Sequence, residues 1–140
     1  MIFLDTSVLI AVAQAQHSHH RASREVWNHC TRESAAISAH TLAELYNTLT
    51  SMPPVLRLRP PDAMLAIETF LARLTVISLA GQEYLSALAR LAQLGLTGGI
   101  VYDALHLACA RKCGAQAIYT LNLRHFQAAA PDLAPRIRMP

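Results

Sequence analysis

Three acidic residues in this chain sit where chemistry could be done. Asp5 directly follows a short apolar run, Ile2-Phe3-Leu4, which reads as a buried strand. Glu44 lies in the patterned run His40 to Thr50, one residue off the apolar face formed by Leu42, Leu45, Tyr46 and Leu49. At ~100° per residue that places it on the edge of the buried stripe. Asp103 falls in the first turn of a helix that starts just after Gly98-Gly99. Each has an ordinary explanation, since Asp5 could cap a helix and Asp103 could favour a helix dipole. Brought together, however, two such charges ~4 Å apart would repel by about 4 kcal/mol at an effective dielectric of roughly 20. No lysine or arginine is adjacent to any of the three in sequence. A hard divalent cation, Mg²⁺ or Mn²⁺, would relieve the repulsion, because such ions prefer oxygen ligands. It could also make a nucleophile of water and steady a phosphoryl group.

The elements that must position these acids alternate. Strands are expected at Ile2–Leu4, Ala35–Ser38, Thr75–Leu79 and Ala117–Thr120, with a short edge strand at Ile137. Helices are expected over Thr6–Ala15, over Arg21–Arg32 with Ser18 as a cap, and over His40–Thr50. Three more are expected from Asp62 through Leu74, over Gln82–Leu94 and over Ile100–Cys113, and a short one within Asn122–Ala129. Gly95 and Gly114 stand just past two helix ends, where glycine is favoured. Strands alternating with helices imply an α/β fold with a mainly parallel sheet and helices on both faces. In such sheets ligands bind beyond the carboxyl ends of the strands, the rim at which Asp5 would lie.

Composition narrows the class further. The 140 residues are expected to form one domain with a substantial core, being 53% apolar and only 15% charged. No apolar run approaches the ~18 residues of a membrane span. A leader peptide is not expected, because Asp5 interrupts the first apolar stretch, so the expected location is the cytoplasm. Cys30, Cys109 and Cys113 form an odd set with no disulfide framework. The net charge is +3, and all basic residues but Lys112 are arginines, a composition compatible with a nucleic-acid partner. The remaining acids, Glu25, Glu33, Asp62, Glu68, Glu83 and Asp132, read as solvated charges or caps.

Four segments in order carry a resemblance. They are Asp5-Thr6-Ser7-Val8-Leu9; Ser38 with Leu42-Ala43-Glu44-Leu45; Tyr102-Asp103-Ala104-Leu105-His106-Leu107-Ala108; and Thr120-Leu121-Asn122-Leu123-Arg124-His125-Phe126. Together they resemble a PIN domain, and more narrowly the VapC-type toxins of type II toxin–antitoxin pairs. The resemblance implies a three-layer α/β/α sandwich and an endoribonuclease dependent on Mg²⁺ or Mn²⁺ that inhibits translation. It also implies a small antitoxin partner and a homodimer, for which the apolar surface of Val55 to Leu74 is available. Carried over by position, Asp5, Glu44 and Asp103 match the catalytic, metal-holding acids. The fourth acidic position is Asn122, a departure that leaves one fewer charge for a second metal. Thr6, Ser7 and Thr120 match small hydroxyl positions that support the acids.

Other residues admit two readings. Arg124 and His125 follow Asn122 at the same rim and could touch RNA phosphate or be solvated loop charge. His17, His19 and His20 read as exposed histidines at a loop–helix junction rather than as a metal site. His106, Cys109 and Cys113 share a helix face and read as core packing, with His106 alternatively near the acidic rim. Trp27 and Tyr46 read as helix packing. Two other doubly wound hydrolase patterns fail. A haloacid-dehalogenase-like phosphatase wants Asp-x-Asp where this chain has Asp5-Thr6-Ser7, and a receiver domain wants neighbouring acids and a strand-end lysine. The alternative is a catalytically degenerate PIN-like module that binds RNA or protein.

Overall fold

The computed structural model describes all 140 residues. Its elements in order are β1 (Ile2–Leu4), α1 (Thr6–Ala13), α2 (His20–Asn28), β2 (Ala35–Ser38), α3 (Ala39–Ser51), α4 (Pro60–Leu71) and β3 (Thr75–Ile77). Then follow α5 (Gly81–Gln93), α6 (Ile100–Lys112), β4 (Ala117–Tyr119), α7 (Leu123–Ala129), a 3₁₀ segment (Pro131–Arg136) and β5 (Ile137–Arg138). The five strands form one sheet in the order β3-β2-β1-β4-β5, and every pairing is parallel. The expectation of a mainly parallel sheet is therefore met in its strict form.

Alternate residues of each short strand serve one of two cores. Side chains alternate across a strand. Phe3, Ala36, Ile118 and Ile77 face a core built with α5, α6 and α7, which contribute Leu91, Leu107 and Phe126. Leu4, Ala35, Ile37 and Val76 face the opposite core, built with α1 to α4, which contribute Val8, Trp27, Leu45 and Phe70. The result is an α/β/α sandwich, with both sheet faces covered as parallel sheets require. The strand order reverses between β1 and β4, since the chain progresses outward from β1 to β3 and then returns to β4 on the other side. Such a reversal opens a crevice at the strands' carboxyl ends. Asp5 follows β1 there, and Thr120 to Asn122 follow β4.

Several element ends depart from expectation for local reasons. Helix α1 stops at Ala13, and Gln14 leaves the helix with extended backbone angles. Helix α2 runs from His20 to Asn28, with His19 and not Ser18 at its N-cap. Helix α4 starts at Pro60, two residues before Asp62; proline is tolerated in a first turn because its missing N–H would have no helical partner there. Leu74 is buried as expected but lies beyond the helix, and β3 ends at Ile77 instead of Leu79. Tyr46 is 39% exposed and does not share the burial of Leu45 and Leu49. Gly95 and Gly114 do close α5 and α6. Each adopts a positive φ, +66° and +64°, and the following residue's N–H bonds back to the last helical turn, Leu96 to Leu91 and Ala115 to Ala110.

Asp132, expected as solvated charge, binds both Arg90 and Arg111 and so ties the 3₁₀ segment to α5 and α6. The Arg111 guanidinium, helped by Arg90, holds the Asp132 carboxyl down at about 2 against the opposing effect of desolvation. A carboxylate depressed in the folded state contributes stability above its unfolded value of about 3.9 and loses it as pH falls through the folded value. Asp132→Asn should therefore lower stability slightly at neutral pH, by less than about 1 kcal/mol after solvent screening. The gap from the unmutated protein should close between about pH 4 and pH 2; thermal melts across that window check it.

Candidate active site

Asp5 is 5% exposed at the N-cap position of α1, yet its side chain makes no capping bond. Its carboxylate instead takes two hydroxyls on one oxygen. Ser7 Oγ donates to Oδ2 at 2.5 Å, and Thr120 Oγ1 donates to the same atom at 2.9 Å. Both hydroxyls are themselves fixed by backbone N–H groups of the β4–α7 turn. Leu121 N–H donates to Ser7 Oγ at 3.0 Å, and Asn122 N–H to Thr120 Oγ1 at 2.9 Å. The carboxylate is thereby oriented, with Oδ1 left facing the cleft groups, 3.8 Å from His106 Nε2.

Glu44 is held from three sides. Thr6 Oγ1 donates to its Oε2, and His106 Nε2 lies 2.9 Å from the same oxygen. His40 Nε2 is 3.4 Å from Oε1. Burial pushes the Glu44 carboxyl up, but the hydrogen bond and charge of His106, the Thr6 hydroxyl and His40 outweigh it and leave the group below its ordinary value. An ionised carboxylate only accepts, so His106 carries its proton on Nε2. The other ring nitrogen, Nδ1, faces Ser38 Oγ at 2.8 Å. Burial alone would make this imidazole less basic. The bond to Glu44 and the charges of Asp5, Glu44 and Asp103 overcome that and raise its pKa.

Asp103 lines the same cleft from α6. Burial and then the nearby Asp5 charge raise its carboxyl, partly offset by His125 and His106. His125 Nδ1 lies 3.3 Å from Asp103 Oδ2, and Asn122 Nδ2 reaches Oδ1 at 3.5 Å while also contacting His125 Nδ1 at 2.9 Å. Asp5, Glu44, Asp103 and Asn122, with Thr6 and Ser7, thus line one cleft of about 600 Å³. Thr120 is fully buried behind Asp5. Arg124 is exposed and makes no side-chain hydrogen bond, whereas His125 joins the Asp103–Asn122 group.

The cleft contains one residue read from sequence mainly as core packing. His106 is 1% exposed and its face does carry Cys109, but its ring belongs to the acidic group. Cys109 Sγ points instead to the Ile77 carbonyl at 3.4 Å, and burial pushes its thiol up to about 11, so no Cys/His metal set forms. The signal was present as spacing: His106 is three residues past Asp103, and His40 four before Glu44, so each shares a helix face with an acid. His17 also lines the cleft rather than standing free at a loop junction.

The donor set fits an oxygen-preferring divalent cation. Ligand atoms of Asp5 and Glu44 lie within 4.8 Å of one another, with the protonated His106 Nε2 donating beside them rather than offering a lone pair, and Asp103 lines the same cleft. Asp5 and Asp103 repel, and the basic side chains among them are imidazoles, with no lysine or arginine lining the cleft.

A family model for the PIN domain matches residues 2–131. Ribonuclease VapC27 of Mycobacterium tuberculosis is 44% identical over 103 residues, covering 73% of this chain and 71% of that protein. Ribonuclease VapC40 of the same species is 34% identical over 127 residues, covering 89% and 88%. Among solved structures, the fold superposes on Mycobacterium tuberculosis VapC20, a toxin that cleaves the sarcin–ricin loop, with a TM-score of 0.74 at 22% identity over 91% of this chain and 95% of that one. It also superposes on VapBC-1 of nontypeable Haemophilus influenzae, with a TM-score of 0.69 at 21% identity over 99% and 98%. With its reversal-point cleft, its all-parallel sheet and these relatives, the chain belongs to the PIN domain family, in its VapC branch.

Proposed function

We propose that this chain is the toxin of a toxin–antitoxin pair, a PIN-like domain over residues 1–140 that cleaves RNA endonucleolytically with Mg²⁺ or Mn²⁺ and so inhibits translation. The observation that carries the reading is the cleft itself: Asp5, Glu44 and Asp103 gathered at the sheet's reversal point with no arginine or lysine among them. The names of VapC27 and VapC40 as ribonucleases support the same chemistry. Several of the fold's neighbours are toxin–antitoxin complexes, which supports an antitoxin partner, its arginine able to pair with Asp5 or Asp103. A homodimer is proposed through the α4 side, where Val55, Met64 and Leu65 are exposed. No helix is long and apolar enough to cross a membrane, and the proposed place of action is the cytoplasm.

Asp5, Glu44 and Asp103 would hold the ion. When bound, it would offset their charge, activate water and stabilise the phosphate's developing charge. The chain's own residues supply the rest. Ser7 and Thr120 orient Asp5, Thr6 and His106 orient Glu44, and Asn122 with His125 orients Asp103. In this reading His125 and the exposed Arg124 would meet RNA phosphate at the rim.

A module that only binds RNA or protein would not need these carboxylates, which gives a direct test. Asp5→Asn, Glu44→Gln and Asp103→Asn should each reduce RNA cleavage by about a thousandfold or more while the melting curve stays cooperative. Near-full cleavage by any one purified variant at matched Mn²⁺ removes that residue from the site.

Asn122 sets the metal count. Three carboxylates and one neutral amide are nearly balanced by a single divalent ion, so the RNA-free protein should bind one Mn²⁺ tightly. Asn122→Asp should strengthen a second site without RNA. Titration calorimetry of both proteins checks this, and two equally tight sites in the unmutated protein would overturn it.

A further inference from the structure

The cleft has a wall that the cleavage chemistry does not use. Asn47 and Thr48 follow Glu44 at i+3 and i+4, one turn along the same face of α3. Neither side chain makes a hydrogen bond within the chain. His17 joins them from the connection between α1 and α2. That connection is unusually well fixed. His17 N–H donates to Gln14 O at 3.0 Å, and His20 N–H donates to His17 O at 2.9 Å. The His20 ring anchors to Ala11 O at 2.8 Å, and the Gln14 amide reaches the Met52 sulfur at the end of α3. His17 Nδ1 accepts from His19 N–H at 3.1 Å. An accepting Nδ1 leaves Nε2 as the ring's donor.

We propose that His17, Asn47 and Thr48 form a base-reading subsite for the ribonucleotide adjoining the scissile phosphate. This rests on the RNA-cleavage reading above and adds to it the residues that choose where the cut falls. A side-chain amide, a hydroxyl and a fixed N–H are the groups that read base edges in unpaired RNA. No lysine or arginine lines the cleft, so phosphate attraction is not what this wall supplies. The volume of about 600 Å³ accommodates a nucleotide. A peptide is the poorer match, because only two of the twelve lining residues, Ile10 and Leu121, are hydrophobic and could anchor one.

The test uses the full chain with Mn²⁺ and a randomised single-stranded RNA, sequencing the ends produced. Asn47 is exposed, so Asn47→Ala probes the wall without disturbing packing; His17→Ala, His17→Gln and Thr48→Val accompany it. The three truncations should raise KM by about five- to tenfold while kcat stays within about twofold. They should also relax base preference at one position beside the cut. His17→Gln, which keeps an N–H donor, should retain the preference, and Mn²⁺ affinity by calorimetry should not change. An unchanged KM and cut-site profile in Asn47→Ala and His17→Ala overturns the subsite, as does an effect confined to binding of a partner protein. Oligonucleotide binding in EDTA separates the two readings. If the unmutated protein cuts nothing, the nuclease reading fails, and the subsite then stands or falls on whether base-selective binding depends on His17 and Asn47.

Discussion

The molecule turns on how a carboxylate is aimed at the rim of a sheet while almost wholly removed from water. Asp5 is fixed at the end of β1, because Leu4 beside it is locked in one core and Phe3 in the other. Its charge is met by two hydroxyls rather than by a cation. A guanidinium in their place would neutralise the group and occupy its outward oxygen. Hydroxyls orient without neutralising. The same choice recurs at Glu44, where the partners are a threonine and histidines. The site therefore gathers three carboxylates that the fold offsets only with imidazoles and hydroxyls, an arrangement suited to holding a cation.

That concentration depends on topology as much as on side chains. The two hydroxyls on Asp5 come from opposite ends of the chain, Ser7 on α1 and Thr120 after β4, and meet only because β1 and β4 are neighbours at the point where strand order reverses. Glu44 arrives by a different route. Ser38 ends β2 and caps α3 by accepting the Thr41 N–H at 3.1 Å, and it faces His106 as well. One hydroxyl thus fixes both the start of the helix bearing Glu44 and the imidazole that orients it.

Much of this was legible in the sequence, and the divisions are physical. The three acids stand out locally: Asp5 follows an apolar strand, Asp103 lies in a first helical turn, and Glu44 sits at the edge of a helix's apolar face. Gly95 and Gly114 were legible because a left-handed residue is needed where those helices stop. His106 was harder. A histidine flanked by Ala104, Leu105, Leu107 and Cys109 looks like packing, and it is packed; only the long-range contact to Glu44 gives it a polar role. His17 was read as exposed because nothing local announces that the chain folds back to place it by Asn47. The helix ends at Ala13, His20 and Pro60 were set by turn geometry and tertiary fit, where local preference is weakest.

The pairing of Thr120 with Asp5 spans 115 residues of chain. Closing a loop of that length costs roughly 4 kcal/mol of entropy beyond a fixed term, and neither partner can recover that until β4 has docked against β1. During synthesis, β1, α1 and α3 emerge early and can collapse on the face that holds Leu4, but Asp5 then lacks its second hydroxyl and Asp103 is not yet present. A partly made chain consequently lacks a complete cleft, whatever helices it has formed. The cleft is complete only once residues 117–122 have docked β4 against β1 and brought Thr120 to Asp5.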